Sequence, residues 1–279
     1  MNVGDIMGKS IRLCVYIALG GIFFSFNCAS IAQSAKQAHP IIRKIKEPHL
    51  LSQADTKKKS PSLKETNELH GQFNLTNNYI FRGISQTKNY PSAQGGISYT
   101  VLQNGFYIGG WGSNAFFVDE LNHVAYIELD PNIGISKQVT KDFYYDLSVS
   151  YYYYPSVIHS SYPEFNAYFN YKWISTHFAY SNDVYAVGKS GTYYNVGLNH
   201  LIPSNYFFNI EDVHFTAAIG YSDLPQNKGL QSYQDYSFTL SKIINSFMYT
   251  IQWTDTNGRS VDNHALKKNL VAIMVGRSF

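Results

Sequence analysis

The 279-residue sequence sets 22 Lys and Arg against 19 Asp and Glu, a formal net charge of +3, and holds 24 Tyr and 18 Phe within a hydrophobic share of only 44%. No run of about 18 apolar residues occurs beyond the N-terminus, which excludes a bundle of membrane-spanning helices. The basic residues clustered in 33–69 carry no interleaved aromatics for base stacking, so nothing points to a nucleic-acid partner. Many aromatics at a mean hydropathy of −0.23 fit instead a wall of strands that alternate between lipid and water, with Tyr, Phe and Trp gathered at the interfaces.

In chain order, residues 1–32 predict a secretory signal peptide. Lys9 and Arg12 form the positive region, 13–26 the apolar core, and Ser30-Ile31-Ala32 a small-x-small cleavage site. Met7 makes a cleaner start than Met1, because Asp5 is out of place in the positive region. A core of 14 residues is short of the ~20 that a spanning helix needs. Cys14 and Cys28 both fall inside this segment, so the mature chain offers no disulfide and no thiol nucleophile or ligand. Residues 33–69 hold eight Lys or Arg against four acids and no aromatic residue, the composition of a disordered, flexible basic arm. From His70 onward 12 basic residues face 14 acidic ones, so the net positive charge belongs to the N-terminal segments.

Residues 70–279 then fall into alternating segments. The first, 71–84, places Phe73, Leu75, Tyr79 and Phe81 on one parity and Gln72, Asn74, Thr76, Asn78 and Arg82 on the other. Further strands are expected at about 94–102, 106–115, 123–137, 143–154, 164–174, 176–183, 192–202, 211–222, 233–243, 247–255 and 268–279. The spacers alternate too. Short ones at 103–105, 138–142, 174–175 and 245–246 separate longer ones at 85–92, 116–122, 155–163, 184–191, 223–232 and 256–267, with 203–210 a long exception in the short set.

Twelve strands with short periplasmic turns and longer external loops predict an all-β fold. It is a transmembrane antiparallel up-and-down β-barrel of about twelve strands in the bacterial outer membrane, with both ends of the chain periplasmic. The competing fold is a soluble β-sandwich or lipocalin-like barrel, whose core twelve aromatic-rich faces would overfill. The closing segment 269–279 has strand period and ends on Phe279, which is read as the insertion signal and as the seam partner of the first strand. Outer-membrane lipid and the barrel-assembly machinery are therefore expected partners.

Tyr79-Ile80-Phe81-Arg82-Gly83-Ile84-Ser85-Gln86, Gly105-Phe106-Tyr107-Ile108-Gly109-Gly110-Trp111-Gly112-Ser113-Asn114, Glu128-Leu129-Asp130 and Tyr151-Tyr152-Tyr153-Tyr154-Pro155 resemble the TorF-type outer-membrane porin family, a group also filed as conserved bacterial proteins of unknown function. Further matches are Glu164 to Tyr168, Tyr180 to Asp183, Asp235-Tyr236, Thr254-Asp255-Thr256 and Gly276 to Phe279; the first two motifs are specific and the later ones weak. The resemblance covers roughly residues 70–279 and implies a porin-like barrel; the basic arm is not part of the pattern.

Charges on the polar parity are the candidates for solute selection: Arg82, Glu128, Asp130, Asp146, Lys172 and Asp235, which would line a pore if they face the lumen. The other reading of the same six is a salt-bridged interior that plugs a narrow barrel and conducts nothing. Arg277, on the apolar parity close to the end of the chain, reads as a headgroup anchor. His177, His200 and His214 lie in expected strands, but no Gly-x-Ser-x-Gly elbow or paired spacing joins any of them to a nucleophile. No enzyme activity, metal or cofactor is assigned. The expected function is passive diffusion of small hydrophilic solutes. The alternatives are a non-conducting barrel that binds a surface partner through its loops and, further off, a lipid-modifying barrel enzyme.

Overall fold

The computed structural model describes residues 67–101, 104–118, 122–226, 230–257 and 269–279. The expected signal peptide and residues 33–66 of the expected arm lie outside them. The described strands are β1 (Glu68–Thr76), β2 (Ile80–Phe81), β3 (Ile84–Ser85), β4 (Ser92–Val101), β5 (Phe106–Val118), β6 (Val124–Gln138), β7 (Phe143–Tyr152), β8 (Tyr162–Tyr171), β9 (Ile174–Ser181), β10 (Gly191–Ile202), β11 (Val213–Asp223), β12 (Tyr233–Ile244), β13 (Phe247–Thr256) and β14 (Leu270–Ser278). β1 and β4 to β14 pair antiparallel in chain order and close into a twelve-stranded barrel, while β2 and β3 form a small hairpin of their own. The up-and-down barrel read from the sequence is the fold. Its first strand starts at Glu68 and so takes in the last two residues assigned to the arm.

Closure depends on the two chain ends. β1 pairs with β14 from Gln72↔Ser278 to Thr76↔Met274. Beyond that register Gly71 and Phe279 exchange backbone hydrogen bonds of 2.8 and 2.9 Å. Gly71 leaves room for the terminal ring, since a Cβ there would stand 2.3 Å from Cε2 of Phe279. Arg277 lies nearby with its guanidinium 5.5 Å from the Phe247 ring centre, and both are exposed on the outer face.

The alternation sorts side chains as the period of two requires. Phe73, Ile97, Ile108, Ile133, Val149, Phe169, Val196, Phe238, Ile251 and Ile273 point outward and are exposed. A continuous apolar exterior of this extent is stable against hydrocarbon, not water. The connections β4–β5, β6–β7, β8–β9 and β12–β13 lie at the end bearing Glu68 and Phe279, the near end, with turns at 139–142, 172–173 and 245–246; those that follow β1, β5, β7, β9, β11 and β13 lie at the far end, with loops at 77–91, 153–161 and 182–190. At 245–246 both residues have positive φ, 50° and 69°, the two-residue turn whose twist suits a hairpin. The near-end exception, 203–212, contains a short 3₁₀ turn, Ser204–Tyr206, and is tied down by Lys242 Nζ donating to the Glu211 carbonyl.

One expected strand is not continuous. β1 leaves the wall after Thr76, and 77–91 turns into the barrel rather than over its rim. Phe73 and Leu75 remain outside, but Tyr79 and Phe81, expected on the lipid face, are 2% and 7% exposed inside it. The break lies at an asparagine pair. Asn77 stays with the wall, its side-chain oxygen accepting from Ile273 N at 2.6 Å and its amide donating to the Val271 carbonyl. Asn78 turns inward, with its oxygen accepting from Ser85 Oγ at 2.6 Å and its amide donating to Asn89 Oδ1. Side-chain bonds of this kind replace a strand's ladder with local turns.

Candidate functional site

The inserted hairpin is built from a short, specific stretch. Ile80 pairs with Ser85 and Phe81 with Ile84, joined by Arg82 and Gly83 at φ 46° and 77°. Both angles are left-handed, as a type I′ turn requires. Glycine accepts that conformation freely, whereas arginine at φ 46° is uncommon and is held by its surroundings. The returning arm is fixed by Gln86 N to the Tyr79 carbonyl at 2.7 Å, and by Phe116 N to the Gln86 carbonyl at 2.6 Å. Phe116 is free to make that bond because the β5–β6 register shifts between Asn114 and Phe117, a bulge that releases one residue from the ladder.

Around the hairpin the far half of the lumen is aromatic. Tyr79, Phe81, Trp111, Ala125, Tyr152, Tyr154, Val157 and Tyr162 form one buried cluster. Tyr79 meets Trp111 at 5.3 Å, Phe81 meets Tyr152 edge-on at 5.8 Å, and Tyr152 stacks on Tyr162 at 4.9 Å. Such ring pairs contribute about 0.5–1.5 kcal/mol each beyond the area they bury. The interior was expected to hold Asn, Gln, Thr, Ser and a few charges; it also takes Tyr107, Tyr144, Tyr168, Tyr193 and Tyr233. Tyrosine serves both faces, because its ring packs and its hydroxyl satisfies a buried carboxylate.

The hydroxyls show this pairing. Tyr107 and Tyr144 donate to Asp146 at 2.9 and 3.4 Å, Tyr152 to Glu164 at 2.9 Å, Tyr79 to Glu128 at 3.4 Å and Tyr193 to Asp235 at 3.5 Å. Among the described residues the buried Asp, Glu, Lys and Arg side chains are Arg82, Glu128, Asp130, Asp146, Glu164 and Asp235. Arg82 stands at the hairpin tip; Glu128 and Asp130 point in from β6, Asp146 from β7 and Asp235 from β12. Lys172 is different. It occupies the near-end turn between β8 and β9 at φ 53°, exposed, with Nζ 5.3 Å from the Tyr171 ring centre. Strand parity does not reach it, because the strand ends at Tyr171.

Arg82 has a partner not among the six. Its Nη2 donates to both oxygens of Glu164, at 2.8 and 2.9 Å, with each side chain 2% exposed. The guanidinium carbon is 4.3 Å from the Tyr193 ring centre and 4.6 Å from that of Phe81, and the Tyr233 hydroxyl donates to the Arg82 carbonyl at 3.1 Å. Tyr185, in the far-end loop after β9, keeps a neutral hydroxyl beside this pair. Burial raises its pKa from the ordinary value, more than the Arg82 guanidinium lowers it. Glu164 was legible in the sequence as the first member of a polar parity shared with Asn166 and Asn170, but its pairing with a residue 82 positions away was not.

Beyond the hairpin the wall is polar and only partly paired within the protein. Gln72 Nε2, Thr100 Oγ1, Asn195 Oδ1, Thr250 Oγ1 and Gln252 Nε2 are buried inside the barrel with no hydrogen-bond partner among the described residues. Buried polar atoms are almost always bonded, to protein or to water, so this wall is made for a hydrated interior. A cavity of about 20 Å³ lies against the hairpin, lined among others by Thr76, Tyr79, Gln94 and Gln252. His177 is occupied structurally, with Nε2 2.8 Å from Asn166 Oδ1 and its ring stacked on Tyr168 at 3.9 Å. No group of three or more His, Cys, Asp and Glu is placed to hold a metal among the described residues.

A family model described as "Bacterial protein of unknown function (Gcw_chp)" matches residues 63–279. No curated protein matches the sequence significantly. Among solved structures the chain is similar to the KdgM porin, at 10% identity and TM-score 0.43, covering 77% of this chain and 99% of that one. It is also similar to the NanC porin, at 9% and 0.45, covering 75% and 98%. A third is the COG4313 outer membrane channel from Pseudomonas putida F1, at 5% and 0.44, covering 81% and 100%. At these identities and scores the likeness carries no argument about solute or mechanism.

Proposed function

We propose that this chain, which belongs to the Gcw_chp family of bacterial proteins of unknown function, is an outer-membrane channel for passive diffusion of small hydrophilic solutes. The TorF-type porin resemblance is part of this reading. The observation that carries it is the two-faced wall, apolar and exposed outside, polar and incompletely paired inside. In a soluble barrel the two faces would be exchanged. The near end is then periplasmic and the far end external. The seam between Gly71 and Phe279 serves insertion by the assembly machinery, and the buried charges, Arg82 and Glu164 among them, select among solutes. In the conformation described, the hairpin of β2 and β3 packs among the buried aromatics of the external half, so on this reading conduction requires that hairpin to withdraw.

Planar-bilayer recording of the purified chain tests this, with a variant lacking 78–90 beside it. The expected result is a small or flickering conductance for the whole chain and a larger, steady one for the variant. A second reading is favoured by the filled external lumen: a barrel that conducts nothing and binds a surface partner through loops 153–161 and 224–232. Absence of conductance in both proteins, each folded and inserted, would replace the first reading with the second. Liposome swelling with and without residues 33–69 tests separately whether the basic arm restricts the path.

A further inference from the structure

The Arg82 side chain is held as a charged ligand is held. The groups around it come from four strands of the wall: the Glu164 carboxylate on β8, the Tyr152 hydroxyl that donates to the same carboxylate from β7, the Tyr193 ring face on β10 and, accepting from the Tyr193 hydroxyl and packed against the tip at Gly83, Asp235 on β12. The cation itself comes from a two-residue turn on a hairpin that belongs to no barrel strand. A carboxylate oriented by a hydroxyl, with an aromatic face beside it, is a recognition site for a guanidinium group. Its Gly83 neighbour fits the tip closely against the wall, for a Cβ there would meet Thr256 Cγ2 at 2.4 Å and Asp235 Cβ at 2.9 Å.

We propose that Glu164, Tyr152, Tyr193 and Asp235 form a binding site for small solutes bearing a guanidinium group, occupied in this conformation by the chain's own Arg82. The proposal rests on the reading of the lumen as a solute path, because a free solute must reach the site that the hairpin fills. Arg82 is then a tethered competitor. A short tether holds a group at an effective concentration of the order of millimolar, so external guanidinium solutes enter where they exceed that level or where the hairpin has withdrawn. Selection and closure become one contact. The site prefers the cation that most resembles the one it already holds.

The test is Arg82→Ala in the full chain, with guanidinium chloride in the low millimolar range as the probe and sodium chloride of equal ionic strength as the control. Two readouts are taken: thermal unfolding of the detergent-solubilised barrel, and conductance in planar bilayers. Guanidinium is expected to raise the unfolding temperature of Arg82→Ala and leave the wild type unmoved. It is also expected to reduce the current through Arg82→Ala at low millimolar concentration, where sodium chloride of equal ionic strength, which carries current, does not, as a charge-assisted contact to a buried carboxylate implies. Arg82→Ala with Glu164→Gln should lose both effects. If Arg82→Ala folds poorly, refolding yield on heat-modifiability gels is read for it and for Arg82→Gln, and guanidinium should raise both yields. No thermal shift and no gain in yield relative to sodium would overturn the site. A guanidinium-specific shift in a barrel that never conducts would uphold the site and remove the channel reading instead.

Discussion

The two ends of β1 are held by different chemistry. At the near end Gly71 and Phe279 are joined by backbone bonds in both directions, a continuation of the ladder that any residue pair of suitable size could make. At the far end Asn77 and Asn78 divide the chain between wall and lumen, and the hairpin beyond them is fixed by particular side chains: Arg82 on Glu164, Tyr79 on Trp111 and Glu128, Tyr233 on the Arg82 carbonyl. The first end decides whether there is a barrel; the second, on the proposed channel reading, decides what the barrel lets through. A backbone-made closure fails as a whole, whereas a side-chain-made plug fails by degrees.

That contrast can be broken most sharply at the seam. Deleting Phe279 removes the last reciprocal pair and the ring over Gly71, and is expected to abolish most assembly of folded barrel, read as loss of the heat-modifiable band. Gly71→Val should act in the same direction by displacing the ring. At the far end the largest effect is expected from Glu164→Gln, which leaves Arg82 buried without its countercharge. Removing one partner of a buried pair costs about 3–5 kcal/mol, to be seen as a lower denaturant midpoint together with a rise in conductance while the barrel still assembles. Smaller is Gly83→Ala, which imposes a left-handed φ on a residue with a Cβ and crowds Thr256; a loss of about 1–2 kcal/mol is expected, by the same two measurements. Tyr79→Phe keeps the ring against Trp111 and removes only the hydroxyl bonded to Glu128, expected to cost about 1 kcal/mol with Trp fluorescence little changed. The smallest is Lys172→Ala in the near-end turn, within about 0.5 kcal/mol and without effect on conductance. If it altered ion selectivity, the division between exposed turn and buried lumen would be wrong.

The motif on which the resemblance most depends, Tyr79 to Gln86, is the segment that leaves the wall. In the sequence it passes for the end of a strand, because Tyr79 and Phe81 continue the odd parity of Phe73 and Leu75. Periodicity is blind to a break that inserts no residue out of phase. Two local signals stand at that point, Asn77-Asn78 and Arg82-Gly83, both turn formers, and they mark where the alternation stops meaning lipid. The inward tyrosines were hidden for a related reason. Tyr107, Tyr152 and Tyr193 lie on the polar parity of their strands, but a residue counted as aromatic does not announce that its hydroxyl will meet an aspartate or glutamate on another strand.

The amino-acid sequence by itself determined the class of the molecule: twelve strands, their order, the side of each turn, the greasy exterior and the terminal strand that closes the ring. These arise from a period of two and from the lengths between periods, which are local properties of the chain. Only the tertiary structure decided that the first far-end loop fills the lumen, that Arg82 meets Glu164, and that Lys172 stays outside. Those outcomes depend on curvature and on distances across the barrel, where residues far apart in the chain face one another, and no local pattern encodes which of them will touch.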